Sequence, residues 1–131
     1  MWVATLIVVL ALAVGCGEDD EGPAVPSGAS LADLTVAVDS DGDGPKPPRE
    51  AAIRCEAAED SAVCGAVAQL KPGAFEPTPG DVACTQQYGG PQTATVEGTL
   101  RGEPVDAQFS RVNGCEISRW GDVAPLLDAA K

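Results

Sequence analysis

Five cysteines constrain this chain more than any other feature. Cys16 stands alone near the amino terminus, whereas Cys55, Cys64, Cys84 and Cys115 are spread over the remainder. In an exported chain an odd count leaves one thiol without an internal partner, so one cysteine must serve another purpose. The other four can pair in three ways, and local sequence does not choose among them. No two are spaced Cys-x-x-Cys, which argues against a zinc knuckle or a thioredoxin-like redox site. Crosslinks matter because aromatic residues are only 4 % of the chain. The core must be built from Val, Leu, Ile and Ala, the larger of which contribute roughly 1.5–3 kcal/mol each on burial.

Export is read from residues 1–15. Trp2 to Val14 is apolar except for Thr5, too short for the ~20 residues a membrane span needs but suited to a signal peptide. Ala13-Val14-Gly15-Cys16 resembles the lipobox of bacterial lipoproteins, in which the cysteine is diacylated and becomes the new amino terminus. It departs from that motif in having Ala13 where Leu is usual, and no Lys or Arg precedes the apolar run. Lipidation of Cys16 accounts for the odd cysteine and anchors the chain to the outer face of the cytoplasmic membrane; a signal cleaved without lipidation would make it secreted. Residues 16–30 then form an acidic tether rich in Gly, Pro and Ser with almost nothing to bury. Residues 31–131 are left as one domain.

Within that domain the periodicity changes several times. Leu34, Val36 and Val38 alternate on one face of a strand that ends at Asp39-Ser40-Asp41-Gly42-Asp43-Gly44, and a second short strand is expected around Ala51 to Cys55. Ala62, Val63, Ala66, Val67 and Leu70 recur at helical spacing, with Asp60 or Ser61 as cap and Lys71-Pro72-Gly73 as stop. Thr93 to Arg101 alternates again, Gly102-Glu103-Pro104 can turn the chain, and Val105, Ala107 and Phe109 alternate back as a hairpin. Val123, Leu126, Leu127 and Ala130 share a second helical face, with Pro125 expected in the first turn of that helix. Strand, strand, helix, strand, strand, helix predicts an α+β domain with an antiparallel sheet.

Charge and residue usage exclude several functions. A net charge of -12, from 20 Asp and Glu against 8 Lys and Arg, repels nucleic acid. No histidine is present, which removes the usual base of serine and cysteine hydrolases and the commonest zinc ligand. The scattered acidic residues read as a solvated surface. Neither enzymatic activity nor a cofactor is expected.

Two stretches make a more specific reading available. Val82-Ala-Cys84-Thr-Gln-Gln-Tyr88-Gly-Gly-Pro-Gln-Thr-Ala-Thr-Val-Glu-Gly-Thr-Leu-Arg-Gly and Pro104-Val-Asp-Ala-Gln-Phe-Ser-Arg-Val-Asn-Gly-Cys115-Glu resemble the subtilisin-inhibitor family, whose Cys-x-x-x-Tyr, Thr-Val-x-Gly and Asn-x-Cys-Glu segments occur in this order. The resemblance covers Leu31 to about Leu127. It implies a five-stranded antiparallel sheet with two helices, a homodimer, and bridges joining Cys55 to Cys64 and Cys84 to Cys115. Closing loops of about 10 and 32 residues would then remove roughly 2.7 and 3.7 kcal/mol of unfolded-state freedom. Leu100 stands near the position where the resemblance implies an aromatic residue at the dimer contact.

The resemblance further implies that a serine protease reads an exposed loop as substrate and attacks the bond between Gln86 and Gln87. Gln86 would enter the primary specificity pocket, with Ala83, Cys84 and Thr85 before it, and Tyr88 and Gly89 on the leaving-group side. Asn113 matches an asparagine that braces the loop by hydrogen bonding. The Gln86 amide suits a broad, mainly apolar pocket better than one built around an aspartate, which favours a subtilisin-like protease over trypsin. The alternative on the same fold is a surface lipoprotein that binds without inhibiting.

A second alternative comes from Asp39, Asp41, Asp43, Gly44 and Glu50, which satisfy the spacing of a calcium-binding helix-loop-helix. Here the motif follows a strand and contains Pro45, Pro47 and Pro48, which block a following helix. Turn formation between strands is the expected role, and no metal is assigned.

Overall fold

The computed structural model describes residues 30–56 and 61–131. The expected signal segment, the expected lipidation at Cys16, the tether as far as residue 29, and Asp60 as a cap lie outside the described residues.

Strand β1 (Ala32–Asp39) turns Ala32, Leu34, Val36 and Val38 inward. It pairs antiparallel with β2 (Arg49–Cys55) on one side and with β3 (Thr93–Leu100) on the other. A hairpin joins β3 to β4 (Glu103–Phe109), giving the order β2-β1-β3-β4. Period-two alternation sends Ile53, Cys55, Ala94, Val96, Val105, Ala107 and Phe109 to the same face as the buried residues of β1. Helices α1 (Ala62–Ala68) and α2 (Gly114–Leu127) supply Cys64, Val67, Val123, Leu126 and Leu127 to this core, and a following 3-10 turn adds Ala130. The result is an α+β domain of four antiparallel strands and two helices, crosslinked between Cys55 and Cys64 and between Cys84 and Cys115.

Four strands replace the five implied by the resemblance. Among the described residues, the connection 69–92 between α1 and β3 forms no strand. Pro72, Pro77, Pro79 and Pro91 remove backbone donors along it and limit any ladder it could join. Leu100, in phase with Ala94 and Val96, lies partly buried against the core.

The hairpin turns one residue earlier than its sequence suggests. Leu100 pairs with Glu103, leaving Arg101 and Gly102 as the two-residue turn with φ of 50° and 81°. Two successive positive φ values match the twist of the flanking strands. Pro104, expected in the turn, sits in edge strand β4 opposite Thr99, where a missing N–H is tolerated.

Helix α1 begins as expected, with the Ser61 hydroxyl accepting from the Cys64 amide at 3.2 Å. Helix α2 starts far ahead of the expected position. Asn113 is its N-cap, accepting from the Glu116 amide at 3.0 Å, so Pro125 falls in the last turn rather than the first. The cap fixes this start: the Asn113 side chain takes one of the amide donors that the first turn of a helix leaves open. Pro125 has no N–H to offer the Gly121 carbonyl, so the helix loses one bond there.

Candidate functional site

Residues 83–90 run without regular secondary structure along the start of α2. Cys84 is joined to Cys115 in the first turn of that helix, with the Cα atoms 5.3 Å apart. Next to it, the Gly114 N–H donates to the Thr85 carbonyl at 3.1 Å. Farther along, the Gly89 N–H donates to the Arg111 carbonyl at 2.7 Å. Gln86, Gln87 and Tyr88 lie between these two backbone bonds and are all exposed. The expected scissile bond therefore lies in the part of the loop that is held on both sides.

Glycine at 114 permits this approach, because a Cβ there would collide with the Thr85 hydroxyl oxygen. In an extended segment alternate side chains face opposite ways. Ala83, Thr85 and Gln87 line a shallow cavity of about 480 Å³ with Gly114, Cys115 and Ser118, whereas Gln86 and Tyr88 are absent from that lining. Asn113, expected to brace the loop, bonds its own helix and reaches the loop through its neighbour Gly114.

The chain entering the loop is fastened to the same helix. Arg119 and Glu116 form an ion pair at 2.8 Å, with side chains 15 % and 17 % exposed. Arg119 also donates from Nε to the Glu76 carbonyl at 2.9 Å and from Nη1 to the Gln108 carbonyl at 3.2 Å, and its guanidinium lies 4.8 Å from the Phe109 ring centre. Glu116 accepts from the Thr78 hydroxyl at 2.9 Å. One guanidinium and one carboxylate thus tie residues 76–78 and the end of β4 to α2. Such pairs survive burial when further hydrogen bonds engage their polar atoms, as the Glu76, Gln108 and Thr78 bonds do here.

The resemblance implied Ala83, Cys84, Thr85, Gln86, Gln87, Tyr88 and Gly89 as the loop, but not Arg111 and Gly114, which bond it, nor Thr78, Glu116 and Arg119, which fasten the chain ahead of it. The Asn113-x-x-Glu116 cap was the available signal for the helix start. The acidic loop presents no comparable site. Among the described residues, no group of three or more His, Cys, Asp or Glu gathers to hold a metal. Asp39 Oδ1 accepts from the Asp41 amide at 3.1 Å, and Asp41 Oδ2 accepts from the Lys46 amide at 3.4 Å, as in side-chain-stabilised turns.

Compared with protein-family models, curated proteins and solved structures, the chain matches none.

Proposed function

We propose that this domain is a substrate-like inhibitor of serine proteases, offering the bond between Gln86 and Gln87 to a subtilisin-like enzyme. The observation that carries the reading is an exposed loop fastened on both sides of that bond, at Cys84 and Thr85 before it and at Gly89 after it. A loop already ordered loses little entropy on docking. When the protease serine bonds to the Gln86 carbonyl carbon, the Gln87 nitrogen leaves with a proton, yet the bond from Gly89 to Arg111 keeps that amine close. Religation by the reverse attack then competes with hydrolysis, and the complex persists. Gln86 brings an apolar stem and a neutral amide to the specificity pocket. Two further parts of the reading rest on the sequence and on the resemblance respectively: a lipid at Cys16 would hold the inhibitor at the outer face of the cytoplasmic membrane, and the domain would pair as a homodimer.

Titrating subtilisin and trypsin with the parent protein and Gln86→Lys tests the reading. Stoichiometric inhibition of subtilisin is expected, with slow cleavage between Gln86 and Gln87. Gln86→Lys should improve trypsin inhibition at least ~100-fold, because the ammonium can pair with the pocket aspartate. Absence of subtilisin inhibition, or a first cut elsewhere, would refute the assignment.

A further inference from the structure

Charge is distributed unevenly over this acidic chain. Although Asp and Glu outnumber Lys and Arg 20 to 8, no residue between Asp81 and Glu97 carries a charge. The segment facing the loop, Ser110 to Cys115, has a single charged residue, Arg111. That guanidinium is taken up within the fold: it lies 5.9 Å from the Trp120 ring centre and donates to Gln92 Oε1 at 3.5 Å. The same end of the molecule holds the exposed large hydrophobic side chains of the described residues, Val82, Tyr88 and Val112, at 49 %, 65 % and 55 % exposure.

Backbone pairing places two of these on facing segments. Thr85 bonds to Gly114 and Gly89 to Arg111, so the two segments run antiparallel and Val112, between the two bonds, lies on the segment that faces Gln86, Gln87 and Tyr88. Apolar side chains left in water and free of neighbouring charge can be covered by a partner without stranding an ion in the interface. Arg111 and Val112 thus divide two tasks within one short segment, the first holding the loop and the second lying open to solvent.

We infer that the protease-contact surface has two segments, residues 82–90 and Val112, and that it fits a protease whose rim on the leaving-group side is uncharged and apolar. This inference rests on the inhibitor reading. Val112 is the contact that the loop alone does not supply, and Tyr88 and Val112, both exposed and uncharged, meet that rim from the two paired segments.

The test uses Val112→Lys, Val112→Asp and Val112→Ala, with Glu97→Lys on the exposed outer face of the sheet as control, all against subtilisin. A charge of either sign at 112 should raise the inhibition constant at least about tenfold, mainly through faster dissociation, and Val112→Ala should raise it about threefold. Glu97→Lys should change the dissociation rate less than about twofold. Melting temperatures of the Val112 variants should stay within about 2 °C of the parent, since the side chain is exposed. If Lys and Asp act in opposite directions the rim is charged, and if neither weakens inhibition Val112 is not a contact; either result overturns this inference while leaving the inhibitor reading in place. If the parent protein inhibits no protease, both fall together.

Discussion

The two disulfides join similar atoms in opposite surroundings. Cys55, at the end of β2, and Cys64, in α1, are 0 % and 4 % exposed and belong to the core alongside Ile53 and Val67. Cys84 and Cys115 are only half-buried, and they tie an irregular segment to the first turn of α2. Loop closure alone would rank the second bridge higher, at roughly 3.7 against 2.7 kcal/mol. That ranking assumes that the native ends stay in place when the bridge is cut. Around Cys55 and Cys64 the assumption holds, because packed neighbours fix both ends. At Cys84, opening the bridge frees the native loop as well as the unfolded chain, so part of the entropy returns to both states. A crosslink in the core therefore stabilises the domain, whereas one at the surface mainly orders the loop it holds.

Replacing both core cysteines is the most severe way to break this comparison. Cys55→Ala with Cys64→Ala should lower stability by about 4 kcal/mol, combining lost closure with voids in the core. A seven-residue α1 cannot hold itself together in isolation, so it should loosen first. Urea unfolding measures the loss, and a value smaller than that for the surface pair would overturn the ranking. Per folded molecule, protease inhibition should be retained.

An intermediate effect is expected at the surface bridge. Cys84→Ser with Cys115→Ser should lower stability by only about 2 kcal/mol but make inhibition temporary, with cleavage between Gln86 and Gln87 at least about tenfold faster. Following protease activity over hours, together with urea unfolding, separates the two consequences. Persistent inhibition would show that the backbone bonds at Thr85 and Gly89 suffice without the bridge.

Asn113→Ala gives the smallest change and sharpens the comparison at the loop end. Loss of the α2 cap should lower stability by about 1 kcal/mol. Because Gly114 follows the cap and bonds Thr85 directly, the time course of loop cleavage should quicken less than about threefold, well below the effect of removing the bridge. A change as large as that produced by opening the bridge would make Asn113 itself the principal brace.

Local pattern carried much of this architecture. Alternation of Leu34, Val36 and Val38 placed β1, and that of Val105, Ala107 and Phe109 placed β4, because every second side chain of a strand shares a face. Ser61 marked the start of α1 through a bond that spans only three residues. The α2 start was harder to read, since its buried residues Val123, Leu126 and Leu127 cluster at the far end while the first turns serve the loop. The hairpin register was ambiguous because Gly102 and Pro104 are both turn residues, and only pairing with β3 decides which of them belongs to the strand.

Residue order alone thus determined the alternating faces, the α1 cap and the acidic turn, while the segment 83–89 as a candidate loop came from the resemblance. Tertiary structure decided how that loop is held. The Gly89 bond to the Arg111 carbonyl and the Gly114 bond to the Thr85 carbonyl join distant segments through backbone atoms on both sides. Every residue except proline carries such a donor and every residue such an acceptor, so these partners leave no mark in the side-chain sequence. They are selected when the sheet closes beneath α2 and brings the two segments within reach.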